Sequence, residues 1–204
     1  KTFDLGGILL ENQPLLTLDL SNLESSLGTT FHGLIGFDLI KDYDVLFDYR
    51  AKIVTLIQPD SFEKYESEHL SKRQVSRVDL ELKNHLPIIE AKIKGRTLRF
   101  AIDSGAEINL IDDDLYPFVK KQLKKKTKDT LNGADNQPKE VTKGNLKKAL
   151  IGNKVFKKME TLISDISHLN EGYQVQLDGI IGYELLSKQM TLLSYERSEL
   201  LFFE

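Results

Sequence analysis

The chain has 204 residues, enough for one large or two small domains that each bury a core. Hydrophobic residues make up 40% and charged residues 29%, a balance that excludes a disordered or fibrous protein. With a net charge of -3 and no apolar run near the roughly 18 residues that span a bilayer, neither a nucleic-acid partner nor a membrane span is expected.

Cysteine is absent, which excludes disulfides, thiolate metal sites and cysteine nucleophiles but does not identify the compartment. Lys1 is not a natural start, so the sequence is compatible with a targeting segment upstream. The compartment therefore stays open, with a periplasmic or secreted location slightly favoured over the cytoplasm.

The sequence repeats itself with an offset of 146 positions, so that Lys1 to Ile57 aligns without a gap on Lys147 to Phe203. In the most informative stretch, Gly33-Leu34-Ile35-Gly36 overlies Gly179-Ile180-Ile181-Gly182. Both copies keep the order of strand, polar loop, apolar-apolar-Gly segment, short helix and terminal strands. Such a repeat indicates two similar structural units.

Residues 1–58 are predicted to be the second half of an N-terminal lobe. Leu15 to Leu20 is typical of a strand, and Asp38 suits the first turn of a short helix. Val45 to Asp48 and Lys52 to Ile57 are predicted as the terminal strands. The front half of this copy would precede the first residue, so we expect that residues 1–57 cannot close a core alone.

Residues 59–84 are charged and weakly periodic, which predicts a linker with some helical character. Residues 85–204 are predicted to form a complete C-terminal lobe. Its first elements are a hairpin of Leu86 to Ile93 and Arg96 to Ile102, with Lys94-Gly95 at the turn.

After this hairpin we expect a loop over residues 103–106, a strand over Ile108 to Ile111, and a helix from Asp112 to about Leu123. A cluster of lysines lies in and after this predicted helix, without interleaved aromatic residues for base stacking. It is interpreted as a solvated helix face and loop. Its members are Lys120, Lys121, Lys124, Lys125, Lys126 and Lys128.

The candidate catalytic run is Asp103-Ser104-Gly105-Ala106. Asp, Ser and Gly are common turn formers, so the triplet alone is weak evidence. Here it lies between two apolar strands and is followed some 75 residues later by Ile180-Ile181-Gly182. Over about Leu86 to Phe203, this pattern resembles the retropepsin-like aspartic proteases, in particular the bacterial families related to retroviral proteases.

The resemblance implies an all-β-dominated fold of pepsin/retropepsin-like acid protease barrel lobes with short helices, in a pseudo-twofold two-lobe arrangement. It implies that Asp103 is a catalytic carboxylate, that the Ser104 hydroxyl bonds across the lobe interface, and that Gly105 permits a close backbone approach. Ala106 suits the family pattern, whereas Glu107 replaces a small hydroxyl residue. The structural glycines expected beside the site are Gly33, Gly36, Gly179 and Gly182.

In this chemistry two carboxylates, one per lobe, share a proton and titrate as a pair. The ionised member takes a proton from water while the protonated member hydrogen-bonds the scissile carbonyl, so no metal and no cofactor is required. The expected partner is a peptide or protein substrate held extended between the lobes.

The resemblance also implies a hairpin flap over the substrate. A polar, turn-rich stretch occupies the family's flap position, and a plain exposed loop is the alternative interpretation. The expected flap residues are Gly133, Ala134, Asp135 and Asn136.

The sequence contains one Asp-Ser-Gly where a working site needs two. The second Asp could belong to a missing N-terminal half-lobe, from the same protein or another chain, or to a paired second copy. The remaining alternative is a non-catalytic peptide-binding or assembly module that retains the fold.

Two other groups of residues include metal-ligating residue types but lack the pattern of a metal site. The four histidines lack metal-ligand spacing and are predicted to lie on the surface or in loops; they are His32, His69, His85 and His168. The run Asp112-Asp113-Asp114 lacks the alternating ligands and Gly of a calcium loop, and is interpreted as an acidic helix N-terminus.

Overall fold

The computed structural model describes residues 2–11, 16–21, 24–25, 28–132 and 138–204. The chain divides into two units, Lys1–Ile35 and Gly36–Glu204. The strands, in chain order, are β1 (Thr2–Leu5), β2 (Ile8–Glu11), β3 (Asp44–Asp48), β4 (Ile53–Ile57), β5 (Val75–Asp79), β6 (Glu81–Lys83), β7 (Leu86–Ile93), β8 (Arg96–Ile102), β9 (Asn109–Asp112), β10 (Leu123–Asn132), β11 (Pro138–Ile151), β12 (Lys154–Ser164), β13 (Gly179–Ile181), β14 (Met190–Ser194) and β15 (Glu199–Phe203).

The helical segments whose bounds fall within the described residues are short. They are α1 (Phe37–Ile40), α2 (Phe62–Tyr65), α3 (Tyr116–Val119), α4 (Ser167–Tyr173) and α5 (Tyr183–Leu186), with 3-10 turns at Pro59–Ser61 and Asp113–Leu115 and a π-helical turn at Glu66–Leu70. Within the described ranges, no helix has the length and apolar character needed to cross a membrane.

Eight strands of the larger unit form one sheet in the order β10-β11-β12-β9-β13-β8-β7-β6, and a further pairing of β11 with β7 closes it into a barrel. The predicted β7–β8 hairpin is confirmed, with Ile93 facing Arg96. Lys94 and Gly95 both have positive φ, as a two-residue hairpin turn of this hand requires. The strand-dominated lobe expected from the sequence is therefore confirmed.

The core of this lobe lies inside the barrel. Its largest fully buried side chains come from strands whose apolar residues alternate with exposed ones, as period-two burial requires. Each contributes about 1.5–3 kcal/mol by leaving water. Members of this core include Ile89, Ile93, Leu98, Ile111, Ile151 and Phe202.

A second sheet of the larger unit has the order β4-β3-β14-β15-β5. One of its faces joins the barrel core through Leu193 and Phe202. The other face is covered by the helical segment after β4, where Phe62 and Leu70 pack on Leu192. This sheet therefore unites strands of both repeat copies in one packed layer.

The internal repeat is visible in the element bounds, because α1, β3 and β4 lie 146 positions before α5, β14 and β15. In the antiparallel pairing of β3 with β14, Leu46 faces Leu192, which is its own repeat equivalent. The neighbouring pair Val45–Leu193 mirrors the pair Phe47–Thr191 across that position. A local twofold axis thus passes between β3 and β14.

The smaller unit contains the β1–β2 hairpin, in which Leu5 faces Ile8. The second copy has the same register where Ile151 faces Lys154. A hairpin of two strands is at best marginally stable alone. The repeat therefore extends to the strand register of this unit as well.

Apolar side chains of the smaller unit remain exposed, and Leu16 reaches 82%. The predicted strand Leu15 to Leu20 is not formed over its described residues 16–20, which have no regular structure. In the described part of this unit, the only sheet is the pair of β1 and β2, and residues 16–20 do not hydrogen-bond to either strand as part of it. The large exposed side chains include Leu9, Leu16, Leu18, Leu34 and Ile35.

Two other stretches differ from the expected secondary structure. The helix predicted to reach Leu123 ends at Val119, and Leu123 instead begins β10, where it faces Leu146 of β11. Pairing with β11 overrides the helix preference of this lysine-rich segment, and its exposed lysines protect a sheet edge. Residues 59–84, expected to be a linker with some helical character, contain the helical segment and also β5 and β6.

The ion pair between Asp44 of β3 and Arg197 connects the two copies inside this sheet. Asp44 is 0% exposed, and its Oδ2 accepts a hydrogen bond from Arg197 Nη1 at 2.6 Å. The Arg197 guanidinium also lies 4.0 Å from the centre of the Phe62 ring. Removing one partner of such a pair leaves a buried, uncompensated charge.

We predict that Asp44→Ala lowers the free energy of unfolding by about 1.5–3 kcal/mol, because the partly exposed Arg197 loses its close partner and, among the described acids, keeps only Glu199, at 3.8 Å. Urea denaturation of the 204-residue chain measures the effect. The matched control is Asp42→Ala, an exposed acid nearby, which should change the free energy by no more than about 0.5 kcal/mol. Equal losses for both variants would contradict the prediction.

Candidate active site

Asp103 lies in the turn that joins the end of β8 to β9. Its N–H donates to the Ile181 carbonyl at 3.0 Å, and its carbonyl accepts a hydrogen bond from the Ala106 N–H at 3.2 Å. The carboxylate is exposed, and its Oδ1 accepts the Gly105 N–H at 2.8 Å. The backbone of the turn is thus held firmly while the carboxylate faces solvent.

Strand β13 lies between the two strands that this turn joins and pairs with both, β8 on one side and β9 on the other. Beyond its end, the Gly182 N–H donates to the Asn109 Oδ1 at 3.0 Å, and the Tyr183 N–H donates to the Ala106 carbonyl at 2.7 Å. Asn109 is only 5% exposed. Sequence reasoning missed Asn109, although a polar residue inside the apolar strand Ile108 to Ile111 was a usable signal.

Two glycines of the second copy lie where no side chain fits. A Cβ on Gly182 would stand 2.2 Å from the Ala106 carbonyl oxygen, and one on Gly179 would stand 2.1 Å from the Leu110 carbonyl oxygen. At the equivalent positions of the first copy, Gly36 and Gly33, an added Cβ would meet no atom of the described residues within 4 Å, apart from the adjacent residues in the chain. The close approach that explains the first pair of glycines therefore has no counterpart around the second pair.

Ser104 is exposed and makes no side-chain hydrogen bond within the described residues. It lines a small cavity of about 40 Å³ together with Ile40, Phe47 and Tyr195. Ile40 belongs to α1 and Phe47 to β3, and Tyr195 directly follows β14. The expected hydroxyl bond across a lobe interface thus stays a prediction.

An aromatic pair lies beside the Asp103 turn and was also missed. The rings of Tyr49 and Tyr183 meet edge to face, with centroids 5.2 Å apart. Burial raises the pKa of Tyr49 to about 12, with further contributions from Tyr183 and from the negative charge of Asp103. The identity of Tyr49 with Tyr195 in the repeat was the available sequence signal.

The expected flap residues Gly133, Ala134, Asp135 and Asn136 lie outside the described residues. The two strands that lead to and from them are described, and they pair as an antiparallel hairpin in which Asn132 faces Pro138.

The acidic run at the end of β9 caps the following turn, because Asp112 Oδ1 accepts the Asp114 N–H at 2.9 Å. The pKa of Asp113 is raised, first by partial burial and then by the neighbouring carboxylates of Asp112, Asp165 and Asp114. Among the described residues, Asp112, Asp113 and Asp114 are the only acidic, His or Cys group close enough together to hold a metal ion. They lie at a helical N-terminus, as interpreted from the sequence.

A cavity of about 550 Å³ lies apart from this chemistry. It is bordered by strands β5 to β8 and does not include the Asp103 turn. Two of its arginines already have partners, since Arg77 pairs with Glu199 at 3.2 Å and Arg99 pairs with Glu81 at 2.5 Å. The candidate site is therefore the Asp103 turn and not this cavity.

The matched region decides the family of this part of the chain. Residues 89–185 match the family model described as aspartyl protease, and this range contains both Asp103 and Gly182. This segment belongs to the aspartyl protease family. Among solved structures, the chain is similar to a retropepsin-like aspartic protease from Rickettsia conorii, with 14% sequence identity, a TM-score of 0.44, and coverage of 65% of this chain and 94% of that chain. No curated protein matches the chain.

The glycine contacts give a prediction for the repeat. Gly182→Ala should destabilise the 204-residue chain by about 1–3 kcal/mol, because the added methyl group collides with the Ala106 backbone. Chemical denaturation measures the loss.

The matched control is Gly36→Ala, at the equivalent position and with a similar extended backbone conformation. It should change the free energy of unfolding by less than about 0.5 kcal/mol, because the added Cβ meets open space. A large loss at Gly36 or no loss at Gly182 would refute this account of the two sites.

Proposed function

We propose that the protein is an aspartic endopeptidase that hydrolyses peptide bonds with a carboxylate-activated water held between two lobes. The observation that carries the proposal is the Asp103 turn: an exposed carboxylate on a backbone fixed by Ile181, in a segment of the aspartyl protease family. Such a fixed turn holds the backbone of the reacting residue and so limits the reorganisation needed to place its carboxylate.

In the proposed reaction, Asp103 and a second carboxylate share one proton. The ionised carboxylate accepts a proton from water, and the resulting hydroxide attacks the scissile carbonyl carbon. The protonated carboxylate hydrogen-bonds the carbonyl oxygen, and the tetrahedral intermediate collapses after a proton passes to the leaving nitrogen. Gly105 supports this role because its N–H holds Oδ1 of Asp103 at 2.8 Å.

The terminal sheet bears on the source of the second carboxylate. Strand β14 already has neighbours on both edges, β3 and β15, so a second copy of the C-terminal lobe has no free edge of β14 to join. Strand β3 takes the place that a second lobe would use. We therefore favour a front half-lobe that completes the first repeat, from the same protein or from another chain, over pairing of two C-terminal lobes.

The open surroundings of Gly33 and Gly36 support the same source. If the first copy is completed as the second one is, its own Asp turn would pack on Gly36 as Ala106 packs on Gly182. The local twofold axis between Leu46 and Leu192 would then relate the two turns. The two carboxylates would face each other across that axis.

The hairpin of β10 and β11 is proposed to carry the flap over the substrate. Its stem is joined by the backbone ladder and by an exposed ion pair between Lys128 and Glu140. A peptide held extended beneath it would pair with backbone groups, as in addition of a strand to a sheet. The proposed substrate is accordingly a peptide or an unfolded protein segment.

The alternative function is a non-catalytic peptide-binding or assembly module. It is favoured by a single observation, which is that the sequence has one Asp-Ser-Gly triplet. Such a module would bind peptides in the same cleft without hydrolysing them.

We predict that Asp103→Asn lowers kcat/KM for a peptide substrate at least about a thousandfold, because an amide cannot share the proton. Protein containing both lobe front halves is assayed by mass spectrometry of cleaved peptides, at mildly acidic pH where a carboxylate pair carries one proton. The melting temperature should be nearly unchanged, since Asn preserves the shape of the turn.

The matched control is Asp79→Asn, which neutralises an exposed acid on β5 and should leave kcat/KM within about twofold of the unaltered protein. Undiminished cleavage by Asp103→Asn would end the protease assignment of this turn. Peptide binding without cleavage by either form would favour the binding module.

We predict that binding of a peptide-like inhibitor slows amide hydrogen exchange at Thr130 and Glu140, which face each other in the hairpin stem. The comparison amides are Lys92 and Thr97 of the β7–β8 hairpin, which should not respond. Unaltered exchange at Thr130 and Glu140 with the inhibitor bound would reduce the hairpin to an ordinary surface loop.

A further inference from the structure

Tyr49 directly follows strand β3 and places an unpaired polar atom inside the protein. Its ring stacks on Phe47, with centroids 5.8 Å apart and planes 12° from parallel. The same ring meets Tyr183 edge to face, at 5.2 Å and 84°. Its hydroxyl is buried and finds no hydrogen-bond partner among the described residues.

A buried hydroxyl without a partner costs free energy, so such a group calls for an acceptor. The ring contacts of Tyr49 connect it to the Asp103 turn, whose carboxylate is an acceptor. Tyr183 donates its N–H to the Ala106 carbonyl at 2.7 Å, and Ala106 donates its own N–H to the Asp103 carbonyl at 3.2 Å. Tyr49 is therefore one side chain removed from the acidic turn.

The repeat builds the edge-to-face ring contact twice. Tyr195 directly follows β14, as Tyr49 follows β3, and its ring meets Phe37 edge to face at 5.1 Å and 88°. Phe37 is the repeat equivalent of Tyr183. Tyr195 also shares the cavity of about 40 Å³ with Ser104. A tyrosine at the end of each central strand of the terminal sheet is thus a feature of the repeat and not an isolated contact.

The electrostatics favour donation to the Asp103 carboxylate. Burial, the nearby Tyr183 and the charge of Asp103 raise the pKa of Tyr49 to about 12, so its hydroxyl stays protonated in any ordinary assay. Gly105 occupies Oδ1 of Asp103, and the described residues offer no donor to Oδ2. Since the carboxylate is exposed, its side chain is free to turn toward the hydroxyl.

We propose that Tyr49 is a positioning residue of the Asp103 turn, contributed by the first repeat copy across the local twofold axis. Its ring fixes Tyr183, and its hydroxyl donates a hydrogen bond to Oδ2 of Asp103. A bond between a phenol and a carboxylate is charge-assisted and stronger than one between neutral groups.

The proposal has a consequence for assembly. Tyr49 reaches the turn only when β3 lies beside β14, so pairing of the two copies and orientation of Asp103 are coupled. This inference rests on the proposed function for its effect on catalysis, whereas the contact itself can be tested without any hydrolysis.

The first experiment measures the contact in the 204-residue chain. In Tyr49→Phe, which keeps both ring contacts, the ¹⁵N–¹H resonances of Ser104, Gly105 and Ala106 should shift. The matched control Tyr173→Phe removes an exposed hydroxyl and should leave these resonances unchanged. Unshifted resonances in Tyr49→Phe would overturn the proposal, whatever the enzymatic activity.

The second experiment titrates Tyr49 by NMR of ¹³Cζ-labelled tyrosine. Asp103→Asn removes a negative charge and should lower the pKa of Tyr49. Asp48→Asn is the control, because it neutralises the residue next to Tyr49 in sequence, a group that does not contribute to the raised value. A Tyr49 titration that does not respond to Asp103→Asn would likewise overturn the contact.

The third experiment tests the consequence for catalysis in protein with both lobe front halves. Tyr49→Phe should lower kcat on the order of tenfold or more with KM nearly unchanged, because one charge-assisted hydrogen bond to the reacting group is lost. A merely structural role would lower the melting temperature without lowering kcat at a nearly unchanged KM. An unchanged kcat would overturn the positioning role. If neither the unaltered protein nor the variant cleaves peptides while the NMR shifts are present, the proposed hydrolysis fails and the contact stands.

Discussion

The pairing of β3 with β14 is the interaction on which the rest of this structure depends. It is antiparallel, and its central pair, Leu46 and Leu192, consists of repeat equivalents. Because each strand brings the short helix that precedes it, the pairing places elements of both copies on one layer beside the barrel. The hydrophobic contacts on both faces of that layer, and the buried ion pair between Asp44 and Arg197, make it the main connection between the two copies.

The two copies share their backbone pattern but differ in what surrounds it. In the second copy the Ala106 carbonyl occupies the space that a Cβ on Gly182 would need, so the absence of a side chain is a structural requirement. In the first copy the equivalent Gly36 has open space around it among the described residues. The proposed front half-lobe would supply a neighbour for Gly36, and it would also cover large exposed side chains such as Leu16 of the smaller unit.

The acidic turn combines a rigid base with an accessible carboxylate. Main-chain bonds to Ile181 and the buried Asn109 side chain fix the base, and they use backbone geometry that few substitutions preserve. The carboxylate of Asp103 is free of such constraints apart from its bond to Gly105. Tyr49, from the other copy, contacts Tyr183 beside this turn, and the proposed hydrogen bond from its hydroxyl would make the site a product of both repeats.

Elements whose cause is local could be predicted from the amino-acid sequence. Turn chemistry at Lys94-Gly95 and alternating apolar residues specified the β7–β8 hairpin, and the repeat located the terminal strands within a residue or two. The Asp103 turn was recognisable because a turn motif followed one apolar strand and preceded another. Each of these features depends on residues that are neighbours along the chain.

Features that depend on a distant partner could be recognised only in the folded chain. Leu123 joins a strand because Leu146 lies opposite it, although the surrounding lysines suit a helix equally well. The role of Asn109 requires the Gly182 amide, which is 73 positions away. The neighbourhood of Tyr49 and Tyr183 exists because β3 inserts beside β14, and no local periodicity encodes that choice of neighbour.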